Sequence, residues 1–435
     1  MVTKPIDILL VNSSLKRRTS HARSSPPLGL GYIASVLLNN GYKVAAIDFN
    51  VSGFSPLVLE RALLEGKPRI LGISSHTKTY TNALKVAEIT KQVDPGITVI
   101  IGGPHATVMV DDVARESNID VVVMSEGEYT MLELADCIIN KNVNLANVAG
   151  IAYAENGTIS SKVDRPFIKD PDELPFPARH LFPIPLYDSP GIILMSRGGC
   201  PFNCRFCAVN NIWKGKRRFR NTQKVVEEVI HVGKTMQIDV FEFADDIFTL
   251  DRAIVMALCD RLKDEQKITP IHWTCATRVD LVDTQILKTM FEAGCFSIHF
   301  GIEASSQSIL DSIGKGITLK QIRNAIHSAL DVGMTVICGF MFPHPYDTSE
   351  TIHQQTKFMK ELRDMGTTVN LASTAPYPGT YYYNHASELG INILASSWDD
   401  FDDENLMITT KYLSQEELNY LREELTQDLG MNYSD

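Results

Sequence analysis

Short runs of consecutive apolar residues alternate with stretches of helical period along most of this chain. The runs at 6–11, 43–48, 70–74, 98–102 and 121–124 are apolar on both alternating faces. Strands of that kind belong to parallel sheets covered on both sides, and the helical stretches between them supply the cover. A polar loop with Ser13, Ser14 and Pro26-Pro27 follows the first run, and a helix rich in small residues then spans 29–38. Residues 1–150 are therefore expected to form a doubly wound, Rossmann-like α/β domain. Residues 163–190 are dense in proline and acids, which excludes a regular helix or a central strand. The stretch 151–190 is taken as an ordered linker. From Gly191 the alternation resumes, with strands predicted at 192–196, 240–243, 271–276, 296–302, 335–342 and 368–373. Helices are predicted at 222–232, 252–263, 284–293 and 319–332, so that 191–380 holds six βα units. The segment 381–435 carries Trp398-Asp399-Asp400-Phe401 and one amphipathic helix at 414–429.

Composition narrows the setting. The 435 residues are 44% apolar and 21% charged, as in an ordinary globular protein. A net charge of -11 argues against nucleic-acid binding by overall electrostatics. The first apolar run is short and broken by Asp7, unlike a signal peptide, and no run approaches the ~18–20 apolar residues of a membrane span. A cytoplasmic protein is expected. Cys137, Cys259, Cys275, Cys295 and Cys338 are scattered in mostly apolar surroundings and read as buried free thiols in a reducing compartment. They form no second ligand set, so no auxiliary metal cluster is expected.

Cys200, Cys204 and Cys207 are different. Their C-x3-C-x2-C spacing gathers three thiolates in one loop, flanked by Gly198-Gly199 and Pro201. A closed zinc site takes four protein ligands, and iron–sulfur clusters also normally take four thiolates. Three leave one position for another ligand, while three reduced thiols in an ordinary loop are the plain alternative. The strand ends carry further chemistry. In the first domain these are Ser74-Ser75-His76-Thr77, Gly102-Gly103-Pro104-His105 and Glu126-Gly127-Glu128. Ligands of such folds bind at the carboxyl ends of the strands, where glycine lets the backbone come close. A turn or a loop histidine would explain each motif alone. In the second domain they are Ala244-Asp245-Asp246, Arg278 with Asp280, Glu303 after Gly301-Ile302, and the run from Gly339 through His344 to Thr348. Helix caps and a salt bridge from Arg278 to Asp280 or Asp245 are the structural alternatives. The basic run 214–220 reads as a solvated face.

The cysteine spacing with its six βα units resembles the radical S-adenosylmethionine (SAM) enzymes. The order of motifs before it, from Pro26-Pro27-Leu28-Gly29 to Glu126-Gly127-Glu128, resembles the cobalamin-binding domain that precedes the radical domain in one branch of that superfamily. This resemblance implies a partial (β/α)6 barrel after the Rossmann-like domain, closed by a small C-terminal helical segment. It implies a [4Fe-4S] cluster on Cys200, Cys204 and Cys207, with the open iron chelated by SAM. It places Phe206, Ala244, Asp245, Asp246, Arg278, Glu303 and Gly339 around SAM. Cobalamin would be met by Ser13, Ser74, Ser75, Thr77, Gly102, Gly103, His105, Glu126 and Gly127. No catalytic residue is assigned beyond the cluster and SAM site. Two departures stand out: the Asp-x-His-x-x-Gly motif of some cobalamin proteins is absent, and Pro343-His344-Pro345-Tyr346-Asp347-Thr348 replaces the family's Gly-x-Pro-Gly-Glu-Thr turn, leaving His344 on the substrate side. The activity implied is a cobalamin-dependent methyl transfer to an unactivated carbon. The alternatives are a non-methylating radical reaction (dehydration, cyclisation or rearrangement) and, remotely, a non-catalytic cobalamin- or metal-binding regulator. The partners implied are a small-molecule or peptide substrate and an electron donor such as flavodoxin or ferredoxin. An acidic donor would be steered by Lys216 and Arg217.

Overall fold

The computed structural model describes residues 5–15, 24–141, 144–155, 157–402 and 404–430. The signal-peptide reading touches residues 1–4, which lie outside them. The chain divides into two compact units: one runs through Pro190 and includes Ser397–Asp400, and the other holds Gly191–Ser396 and the residues from Phe401 on.

In the first unit, strands β1 (Ile8–Asn12), β2 (Val44–Asp48), β3 (Ile70–Ser74), β4 (Thr98–Gly102) and β5 (Val121–Val123) pair in parallel in the order β2-β1-β3-β4-β5. Leu9, Val11, Leu71, Ile73, Val99 and Ile101 pack on one sheet face. Ile8, Leu10, Ile70, Ile100 and Val121 pack on the other. Burial on both faces is why these strands are apolar throughout. The sheet does not stop at residue 150: β6 (Ile151–Glu155) and β7 (Thr158–Lys162) extend its edge as an antiparallel hairpin. Residues 151–155 and 158–162, counted above with the linker, are thus strands of the sheet. Their runs are short, and beyond Ala154 only Ile159 is a large apolar residue, as suits an edge hairpin. The proline-rich stretch that follows is docked on this unit. Ala178 N donates to Gly31 O (2.9 Å), Ser35 Oγ to Phe176 O (2.6 Å) and the Tyr187 hydroxyl to Asp48 (2.7 Å).

The second unit is built on a six-stranded, all-parallel sheet in the order β15-β14-β13-β12-β11-β8. Its strands are β8 (Ile192–Ile193), β11 (Val240–Phe243), β12 (His272–Thr277), β13 (Cys295–Glu303), β14 (Thr335–Phe342) and β15 (Thr368–Ser373). Sequential strands lie side by side, each joined to the next through a helix, as in an incomplete barrel. Trp273, Phe243 and Phe248 interlock at ring separations of 5.0–5.2 Å in its core. The strand predicted at 192–196 is broken in two. After β8, the segment β9 (Ser196–Gly198) leaves the sheet and pairs antiparallel with β10 (Arg217–Phe219). The physical reason is Asp245, whose carboxylate accepts from Met195 N (2.8 Å) and Ser196 N (2.9 Å) in place of a neighbouring strand. A helix at Gln415–Asp428 closes the described chain, opened by a Ser414–Glu417 capping box.

Candidate functional site

The cysteine loop leaves β9 through Gly198, whose φ of 113° is left-handed and whose missing Cβ would collide with the Lys216 carbonyl. That bare position lets β10 press against the base of the loop. Cys200, Cys204 and Cys207 are half-buried. Burial raises all three thiols, Cys207 to about 11. Among the described residues no three His, Cys, Asp or Glu side chains are arranged as a ready metal-binding group. The three sulfurs share one loop without being drawn to ligand spacing.

The loop is held from three sides. Arg278 lies over the Phe202 ring, 3.7 Å from its centroid, while its guanidinium is bidentate on Asp280 (2.9 and 3.0 Å) and donates to Lys315 O (2.7 Å). The structural alternative for Arg278 is therefore realised, and the residue acts on the loop through an aromatic face. Arg205 N donates to Ile313 O (2.9 Å), and Tyr382 N donates to Arg205 O (3.2 Å). Phe206 stands 6.2 Å from the His344 ring.

Around this loop the predicted residues split into those facing inward and those left open. Asp245, expected beside SAM, is buried at the base of β9: it also accepts from the Ser196 hydroxyl and pairs with Arg217 (3.3 Å). Its oxygens are occupied by that strand. Asp246 next to it is exposed, and burial of its surroundings raises its carboxyl against the pull of Arg217. Ala244 N donates to Ile193 O (2.9 Å) and serves the sheet. Glu303 ends β13 at a φ of 71°, uncommon for a side-chain-bearing residue, and takes Lys315 at 2.8 Å. The space that Gly339 leaves is filled by the His299 ring, since a Cβ there would lie 2.8 Å from His299 Nε2. His344, read above as a substrate-side group, is fully buried. Its ring nitrogens lie 3.3 Å from the Tyr382 hydroxyl and 3.3 Å from Glu303 O, and its amide donates to Asp347 (2.7 Å). It supports the bend at Glu303. The basic run is not a uniform solvated face either: Lys214 and Lys216 are exposed, but Arg220 is buried on Glu228 (2.6 Å) and Arg217 on Asp245. Lys315 and His299 carry no role assigned from sequence, and Arg217, expected to help steer an acidic electron donor, is instead buried against Asp245. Lys315 sits in a Gly-Lys-Gly turn that gives no sign of its ion pair.

The first unit brings Ser13, Ser74, Ser75, Thr77, Gly102, Gly103 and His105 together at the carboxyl ends of β1, β3 and β4. Most are already paired. Ser13 Oγ donates to Ser74 O (2.8 Å), and His105 Nδ1 lies 3.1 Å from Thr77 Oγ1. Burial holds His105 at a pKa of about 4, between Tyr80 (4.2 Å) and Trp398 (4.9 Å). Trp398 comes from the far end of the chain, and nothing in its local sequence announces this position. Glu126 accepts from Ile168 N (2.8 Å), and Gly127 packs against Ile33, 3.0 Å from where its Cβ would be. Among the described residues Ser75 Oγ is buried with no partner, beside Gly103, whose φ is 100° and whose Cβ would meet Ser75 O at 2.5 Å.

Both sites fit the groups the sequence implies. Three sulfur donors on one loop make the donor set of an iron–sulfur cluster with an open position. An orphaned hydroxyl beside a bare glycine backbone suits close approach by a bulky ligand with hydrogen-bonding arms.

Comparison with known proteins agrees with this division. The B12 binding domain model matches residues 19–135, and the Radical SAM superfamily model matches residues 196–359. An uncharacterized methyltransferase of Pyrococcus horikoshii is 33% identical over 427 residues, covering 96% of this chain and 91% of the archaeal one. The anaerobic magnesium-protoporphyrin IX monomethyl ester cyclase of Rubrivivax gelatinosus is 29% identical over 368 residues, covering 81% of this chain and 65% of that enzyme. Among solved structures, the radical SAM methyltransferase TsrM from Kitasatospora setae, with cobalamin and a [4Fe-4S] cluster bound, has the same fold. It superposes with a TM-score of 0.76 at 15% identity over 99% of this chain and 89% of its own. The expected fold class is the one found, and the chain belongs to the radical SAM enzymes that carry a B12-binding domain ahead of the radical domain.

Proposed function

We propose that this protein is a cobalamin-dependent radical SAM methyltransferase acting on carbon. The observation that carries the reading is the C-x3-C-x2-C loop at the head of a parallel six-stranded sheet, in a chain whose first unit is a B12-type sheet. The overall likeness to an archaeal methyltransferase supports it.

Cys200, Cys204 and Cys207 would hold the [4Fe-4S] cluster. Asp246, Glu303 and Phe206 are the residues left to meet SAM at the open iron. Ser75, Gly102 and Gly103 would meet cobalamin. When bound, the cluster and SAM supply a 5′-deoxyadenosyl radical and cobalamin supplies the methyl group. The chain's own work is positional. Arg278 fixes the loop through Phe202, Lys315 fixes the Glu303 carboxylate, and His344 with Tyr382 fixes the backbone beneath it. Buried ion pairs around the loop keep these charges oriented and largely shielded from water, which a reactive radical requires. The substrate is a small molecule or a peptide. Electrons come from a donor such as flavodoxin or ferredoxin in the cytoplasm, and exposed Lys216 would steer an acidic one.

A second reading keeps the radical step without methyl transfer, and the cyclase relative favours it. Anaerobic enzyme with bound hydroxocobalamin, SAM, reductant and candidate substrates separates the two. Formation of 5′-deoxyadenosine and S-adenosylhomocysteine together is expected for the methyltransferase. The first product alone would assign the second reading.

A further inference from the structure

One buried cation is incompletely paired. Arg217 opens β10 directly opposite Gly198, two residues before Cys200. Its side chain is 6% exposed. Nη2 donates to Ile247 O (2.7 Å) and lies 3.3 Å from Asp245, but Nε and Nη1 are buried, and among the described residues no acceptor reaches either. A buried donor without an acceptor is destabilising, and a buried guanidinium more so. The neighbouring anion Asp246 does not form the missing bond: Arg217 acts on its charge, yet Asp246 turns to solvent. The charge also reaches the cysteine loop, where Arg217 opposes the effect of burial on the Cys200 thiol. The backbone is shaped to keep the guanidinium there, since only a glycine at 198 allows β10 to approach β9 so closely.

We propose that the Arg217 Nε and Nη1 donors are hydrogen-bond donors to the sulfur shell of the cluster, on the Cys200 side, and so raise its reduction potential. This rests on the cluster assignment made above. Hydrogen bonds to cluster sulfurs, together with nearby positive charge, stabilise the reduced and more negative state. Arg217 is then a tuning residue of the cluster and not part of a surface for an electron donor.

Wild-type protein labelled with 15N-arginine, cluster-loaded and reduced without SAM, tests this by pulsed electron paramagnetic resonance. A 15N coupling to the cluster is expected, and it should vanish in Arg217→Lys, which keeps the ion pair with Asp245. Redox titration of the iron-loaded Arg217→Lys and Arg217→Met proteins should give lower midpoint potentials with unchanged SAM affinity. An iron-loaded wild type lacking 15N coupling overturns the proposal. So does a variant whose potential is unmoved while SAM binding weakens, which would assign the two nitrogens to the SAM carboxylate. A wild type that loads no iron would instead refute the cluster assignment itself.

Discussion

The strand ends of the two sheets hold polar groups in opposite ways. At the first sheet the converging residues are mostly neutral and bonded to one another or to backbone: Ser13 to Ser74, His105 to Thr77, with Ser75 Oγ left over. At the second sheet the same positions carry charges in buried or nearly buried pairs: Arg217–Asp245, Arg278–Asp280, Lys315–Glu303 and Arg220–Glu228. A neutral crevice recognises by shape and backbone approach, which suits a large flat ligand. A charged one recognises by oriented fields, which suits a cluster and a zwitterion, and it depends on every pair remaining complete.

Breaking one pair should therefore hurt the second sheet most. Asp245→Ala removes the acceptor for Met195 N and Ser196 N and strands Arg217. A loss of about 3–5 kcal/mol is expected, read by urea unfolding of the whole protein together with reduced iron loading. An unchanged midpoint would show that β9 is held by β10 alone.

The first sheet should instead be sensitive to acid through His105, a buried neutral group. Burial holds His105 at about 4, below its ordinary value near 6.5. The folded state binds fewer protons than the unfolded one between those values, so this stability is complete above pH 6.5 and is lost as pH falls toward 4. The expected loss is up to about 3 kcal/mol, measured by unfolding at pH 7.5 and 4.5. His105→Phe should flatten that part of the profile, and an equally steep profile in the variant would place the sensitivity elsewhere.

The smallest effect sharpens the contrast. Trp398→Ala removes a half-buried ring from His105 and should cost about 1–2 kcal/mol. It should also weaken hydroxocobalamin binding, followed by absorbance, while leaving iron content unchanged. Reduced iron content would show that this ring serves more than the first sheet.

Much of the architecture was legible because buried parallel strands leave continuous apolar runs. The strands at β11, β14 and β15 lie at the predicted residues. The break between β8 and β9 was not legible, because 192–196 is apolar enough for one strand and only the Asp245 carboxylate, some fifty residues away, divides it. Spacing likewise marked Cys200, Cys204 and Cys207 but could not tell Asp245 from Asp246. Adjacent carboxylates after a strand look alike until the fold turns one inward and leaves the other exposed. His344 was misjudged for the same reason, since a departure from a family turn says that contacts differ without saying which way the ring points.

What the sequence determined by itself was therefore local and periodic: two runs of βα units, their order, and one loop with three sulfur donors. Hydrophobic period and ligand spacing depend on neighbours along the chain, so both can be read there. Only the tertiary structure decided which charges are paired, that Trp398 returns to the first unit, and that Arg217 is sealed beside the cysteine loop with two donors unmet. Burial and pairing depend on residues distant in sequence, and the energies of buried charges follow from both.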